Sequence, residues 1–130
     1  MGKEPKFYLG DHCDHIIEVI RGKTKEEEIL CCGEKLSLMQ PHTSKEIEEK
    51  HLPVVDVTEN QVKVGVGKIQ HPMTEEHSIG FIYLQTKKGC QRINLEKQKE
   101  PVATFLLAEG DKPLAVYAFC NQHGFWKTEI

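Results

Sequence analysis

The sequence has no long hydrophobic run. No stretch of its 130 residues approaches the roughly 20 apolar residues that a membrane span requires. The N-terminus, MGKEPKFYLG, lacks the apolar core of a secretory signal, so a cytoplasmic location is expected. Charge of one sign is missing too. Lys and Arg number 17 against 20 Asp and Glu, a net charge of −3, which leaves no electrostatic footprint for nucleic acid or an anionic membrane. There is no internal repeat and no low-complexity tract. The five cysteines are an odd number that cannot all pair within one chain; in a reducing compartment they read as thiols or metal ligands rather than a disulfide framework.

What is present changes character near residue 40. Residues 1–39 hold two short apolar runs, Ile16–Ile20 and Ile29–Leu30, separated by charged turn material and punctuated by Cys13, Cys31 and Cys32. That is too little apolar surface for a self-sufficient core, and such a piece needs a metal or a neighbour. In PHTSKEIEEKHLP, Thr43 with Glu46 fits a capping box and predicts a turn or two of helix before Pro53 forces Leu52 into an extended conformation. Glu49, Lys50 and His51 then lie on an exposed connection. Residues 40–130 run with period two from Val54 onward: VVDV, VKVGV, IGFIYLQT, CQRINL, VATFLL, PLAVYAFC and FWKT, broken by KKG, EKQKEP and EGDKP. Short strands at this spacing predict an all-β fold, an immunoglobulin-like antiparallel sandwich, with a hairpin at Glu59-Asn60.

The candidate ligands fall at strand ends. His51 precedes the first strand, His71 opens the turn HPMTEEH and His77 closes it, Cys120 ends a strand, and His123 begins the next turn. Loops at one end of a sandwich can bring all five together. Four imidazoles and a thiolate suit iron, copper, nickel or zinc and are poor ligands for calcium or magnesium. Each residue alone has a duller role: a lone histidine as a hydrogen-bonded surface residue, a cysteine at a strand end as packing. Cys90 matches no ligand motif and reads as structural.

KHLPVVDV, GKIQHPMTEEHSIGFIYL and FCNQHGFW, in this order between Glu49 and Trp126, closely resemble the iron-binding segments of the superoxide reductase family, also called desulfoferrodoxin or neelaredoxin. HCDHIIEV and ILCCGEKLSLM look like the small desulforedoxin-like domain that precedes the catalytic domain in two-iron members. The resemblance implies a desulforedoxin-like β segment over residues 1–39 and a catalytic immunoglobulin-like domain over residues 40–130. It implies one mononuclear non-haem iron per chain, with His51, His71, His77 and His123 as equatorial nitrogen ligands and Cys120 as the axial sulfur. The implied reaction is one-electron reduction of superoxide to hydrogen peroxide. In it Lys50 steers the anion, Glu49 enters the open position of the oxidised iron, and the Cys120 thiolate pushes electron density toward the reacting side. Rubredoxin or a similar carrier is the implied electron donor, and the N-terminal segment implies, by analogy, a homodimer.

One departure stands out. Two-iron members hold a rubredoxin-like iron through a CxxC and a later CC pair, but the first position of that CxxC is here Gly10. Cys13, Cys31 and Cys32 are one short of the tetrahedral set. His12 or His15 could complete a zinc site; the expectation is a metal-free, degenerate remnant in a one-iron enzyme. Two other classes share the donors of the main site. A cupredoxin-like electron carrier uses two histidines, a cysteine and an axial methionine, yet no methionine follows His123 and four turn histidines exceed that set. A non-catalytic metal-binding protein uses the same donors and differs in lacking an open coordination position.

Overall fold

The structure, a computed structural model, describes residues 4–22, 29–43 and 50–130. The helix expected after Thr43 lies outside these residues, and so does Glu49. The chain divides into two compact units, one running to Gln40 and the other Pro41–Ile130.

The smaller unit is built from very short strands: β1 (Phe7–Leu9), β2 (Ile16–Glu18), β3 (Leu30–Cys31), β4 (Glu34–Lys35) and β5 (Ser37–Leu38). They form a three-stranded sheet in the order β2-β1-β5 and a separate β3–β4 hairpin. Phe7, Tyr8, Cys13 and Leu36 are its buried apolar side chains among the described residues. The β3–β4 turn consists of Cys32 and Gly33, with φ of 53° and 78°. Positive φ at both turn residues matches the right-handed twist of the flanking strands, and for cysteine it is an uncommon conformation.

The larger unit is a two-sheet sandwich. Its strands are β6 (Pro53–Thr58), β7 (Gln61–Val66), β8 (Ile79–Thr86), β9 (Cys90–Asn94), β10 (Val102–Leu106), β11 (Pro113–Cys120) and β12 (Gly124–Glu129). One sheet has the order β10-β7-β6 and the other β12-β11-β8-β9, both antiparallel. All seven strands fall where the period-two stretches place them. Val62, Val64 and Val66 alternate inward from β7 and meet Ala103 and Phe105 of β10; Ile82, Leu84, Val116 and Ala118 supply the facing layer. Fully burying a side chain such as Val or Phe is worth about 1.5–3 kcal/mol, so this alternation fixes the register of both sheets. His42 adds an isolated parallel bridge to β12.

Pairing places certain strand ends together. The start of β6 lies against the end of β7 (Pro53↔Val66), the start of β8 against the end of β11 (Ile79↔Cys120), and Cys120 faces Gly124 at the start of β12. Thr128 Oγ1 donates to the Pro53 carbonyl at 2.7 Å and joins the two sheets at that end. Gly67, just past β7, has φ +89°, and a Cβ there would stand 2.5 Å from the Lys50 carbonyl oxygen. Its N–H donates to the Leu52 carbonyl at 3.1 Å. Only glycine allows the backbone to hold the Lys50–Leu52 turn this closely.

Candidate metal centre

The segments at this end carry the expected donors. His51, His71, His77 and Cys120 each offer a ligand atom, and these atoms all lie within 4.8 Å of one another. His123 joins them from the β11–β12 turn: its Nδ1 is 3.0 Å from His51 Nε2 and 3.7 Å from Cys120 Sγ. Ring nitrogens bound at right angles to one ion at about 2.1 Å would be about 3.0 Å apart, so the His51–His123 spacing fits shared ligation. Cys120 is fully buried, His71 is 1 % exposed, and His123 is exposed. The cluster therefore has a deep sulfur end and a solvent-facing end.

Tautomer and burial prepare these donors. His71 Nδ1–H donates to the Pro72 carbonyl at 2.7 Å, which leaves the lone pair on Nε2. That Nε2 is buried and, among the described residues, has no hydrogen-bond partner; His77 Nε2 is in the same condition. Buried nitrogens without partners are costly unless something else satisfies them. A metal ion does so. Burial, opposed by the Pro72 bond and assisted by the neighbouring His51, His77 and His123, lowers the His71 pKa to about 4. His77 is lowered as well, by burial first, then by His123 and His51, and last by the Lys50 ammonium. Neutral imidazoles are the ligating form, so the site is poised to accept a cation.

Residues that the sequence reading passed over hold the loops in place. Asn121 Oδ1 accepts from the Ser78 N–H at 3.0 Å, and its Nδ2 donates to the Glu76 carbonyl at 2.9 Å. Gln122 Nε2 donates to the same carbonyl at 2.8 Å. Thr74 closes the turn ahead of His77, its hydroxyl accepting from the His77 N–H at 3.1 Å. Trp126 stacks on His51 with ring centroids 4.8 Å apart and a 19° interplanar angle, and its Nε1–H donates to the His123 carbonyl at 3.1 Å. His42 packs on Trp126 at 4.6 Å. Asn121, Gln122 and Trp126 lie inside FCNQHGFW, but their residue types alone signal no such duty.

Of the other expected site residues, Lys50 is exposed and lies within electrostatic reach of His77, whereas Glu49 falls outside the described residues. Cys90 is exposed on β9 and takes no part in the cluster. Cys13 and Cys31, 18 residues apart, are close enough to be joined as a disulfide, where thiols or metal ligands were expected rather than a disulfide framework. The β3–β4 turn brings them together with His15 and Cys32.

Comparison with known proteins follows the same residues. The Desulfoferrodoxin family profile matches residues 43–129. The desulfoferrodoxin of Nitratidesulfovibrio vulgaris is 37% identical over 129 residues, covering 99% of both chains, and that of Syntrophotalea carbinolica is 36% identical over the same length and coverage. Among solved structures, the superoxide reductase from Treponema pallidum superposes with a TM-score of 0.86 at 35% identity, covering 98% of this chain and 100% of the other.

Proposed function

Because the chain belongs to the desulfoferrodoxin family, we propose that the cluster at the end of its sandwich is the iron site of a superoxide reductase. The enzyme reduces superoxide by one electron to hydrogen peroxide. The observation that carries this reading is the convergence of buried, partnerless His71 Nε2 and His77 Nε2 with His51, His123 and the buried Cys120 thiol. When bound there, one mononuclear iron supplies the electron and an open coordination position for the anion.

The chain's own residues do the rest. His51, His71, His77 and His123 would hold the iron as neutral donors, and Cys120 would hold it as a thiolate from the buried side. A thiolate so placed raises electron density on the reacting side. The exposed rim, with His123 and Lys50 on it, admits superoxide and solvent protons. Lys50 attracts the anion through its ammonium. Glu49, next to it in sequence, would cover the open position after turnover.

The electron donor we propose is a rubredoxin or a similar small carrier, and the assembly a homodimer. The exposed Cys32 and Cys90, not joined as disulfides, favour the reducing cytoplasm. No helix among the described residues is long and apolar enough to cross a membrane.

Iron-loaded, pre-reduced protein exposed to pulsed superoxide should release one peroxide for each superoxide consumed and no dioxygen. Dioxygen evolution at half that peroxide yield would indicate dismutation and overturn the reading. Oxidised protein should show thiolate-to-ferric charge transfer that bleaches on reduction; an intense cupric thiolate band after metal loading in the native host would favour the cupredoxin class instead.

A further inference from the structure

The smaller unit holds a second cluster that the reaction does not use. We propose that Cys13, His15, Cys31 and Cys32 form a tetrahedral Cys3His site for zinc, with His15 in the role left vacant at Gly10.

Geometry carries the proposal. One ligand atom from each of the four residues lies within 4.8 Å of every other. His15 Nδ1 is 3.1 Å from Cys13 Sγ and 3.4 Å from Cys31 Sγ, and Cys31 Sγ is 4.0 Å from Cys32 Sγ. Around a tetrahedral zinc, with Zn–S of about 2.3 Å and Zn–N of about 2.0–2.1 Å, neighbouring S···N and S···S distances are about 3.5 and 3.8 Å. The two S···N separations fall slightly short of that value and the S···S separation slightly exceeds it. Of the two histidines the sequence offers, only His15 turns its ring to the sulfurs; His12 instead gives its backbone N–H to both Glu34 carboxylate oxygens at 3.1 Å.

Two further features point the same way. The space a Cβ at Gly10 would need is taken by the Glu34 carboxylate, with Leu36 Cδ2 2.8 Å away. In this arrangement the Glu34 side chain occupies the place of a side chain at position 10, and the cluster is completed from the other side of Cys13. Cys32 is held at φ 53°, a left-handed conformation that is unfavourable for a non-glycine residue. It puts the sulfur into the cluster. Local strain of this kind tends to persist where a function requires it.

The unit also needs such a tie. It runs to Gln40, and chains below about 40 residues seldom fold without a disulfide, a metal or a partner. The four donors link the loop after β1 to the β3–β4 hairpin. For one donor set zinc binds more tightly than ferrous iron, and it imposes no preference that a mixed sulfur and nitrogen shell would violate. The Cys13–Cys31 pair must be reduced first. A dithiol supplies two electrons and two protons and leaves as its own disulfide; zinc then displaces the thiol protons.

The test uses the full chain with iron already loaded in the sandwich, reduced by a dithiol, offered zinc and dialysed. We expect one zinc beside one iron per chain, and zinc-edge X-ray absorption showing three sulfurs at about 2.3 Å and one nitrogen at about 2.0–2.1 Å. His15→Ala should weaken zinc retention by at least about tenfold, and His15→Cys should retain zinc in an all-sulfur shell. Retained iron in both variants shows that the sandwich is folded, and zinc retained by His15→Cys shows that a change at position 15 leaves the smaller unit able to fold. Failure of the reduced wild-type chain to hold zinc would overturn the site, as would equal retention by His15→Ala. A second iron at these residues would overturn the choice of zinc.

Discussion

Lys50 acts on His77 and on any anion near it through the same charge. Its ammonium is one of the causes that lower the His77 pKa, behind burial and the two neighbouring histidines. Because Lys50 is exposed, the water-like limit governs: a unit charge about 6 Å from an approaching anion contributes about 0.7 kcal/mol. Lys50→Ala should then slow the second-order reaction of the reduced enzyme with superoxide by about threefold, since 1.36 kcal/mol is worth about tenfold. Screening supplies the control. With a Debye length of about 8 Å at physiological ionic strength, the wild-type rate should fall as salt rises and the variant rate should fall less. Equal salt slopes in pulsed-superoxide kinetics would remove Lys50 from the steering role.

At the scale of elements, the site depends on two turns being clamped to each other. Asn121, in the β11–β12 turn, accepts from Ser78 and donates to Glu76 across the loop before β8. Asn121→Ala removes both bonds, each worth about 0.5–1.5 kcal/mol net, though Gln122 still holds the Glu76 carbonyl. A midpoint loss of about 4–8 °C per kcal/mol is expected for a unit of this size, together with faster iron release to a chelator. Gln122→Ala alone should do less, and the double variant more than either. A double variant that melts and releases iron like wild type would show that the clamp is idle.

The strands of the sandwich were legible because each turns apolar residues to one side with period two, as in VKVGV, where Val62, Val64 and Val66 are buried. The five candidate donors, which the structure gathers at one end of the sandwich, were legible as a set because they fall at the ends of such stretches or in the breaks between them. Asn121 and Trp126 were not, since what they do is decided by partners far away in sequence: Asn121 bonds Glu76 and Ser78, 45 and 43 residues back. In the smaller unit, β3, β4 and β5 have two residues each, too few to show any period. His15 could be named as a candidate ligand there, but choosing it over His12 required the turn of Cys32 and the carboxylate of Glu34.

For the whole molecule, the depressed histidines set a pH dependence. His71 has a pKa of about 4 in the fold against 6.5 ordinarily, and His77 shifts in the same direction. Between those values the unfolded chain binds protons that the native chain does not, so native stability falls as pH drops from about 6.5 toward 4; above 6.5 these groups add no slope. Denaturant titration of the iron-free protein in pH steps, followed by the fluorescence of Trp126, the single tryptophan, should show the midpoint declining across that window. A flat midpoint would place these imidazoles in solvent. Loaded protein should resist acid further, because protons must then compete with the metal for the same lone pairs.

The donors of the sandwich site come from three separate stretches of the chain, ahead of β6, between β7 and β8, and at the β11–β12 junction, and the adjacent His51 and His123 are 72 residues apart in sequence. No short fragment of the chain contains the set. Long-range pairing of this kind is slow to form, because loop closure precedes any reward from the contacts. Iron capture during refolding should therefore follow the closing of the two sheets at a rate independent of iron concentration once iron is in excess. A newly made chain would acquire its reactivity only as the last step of becoming folded.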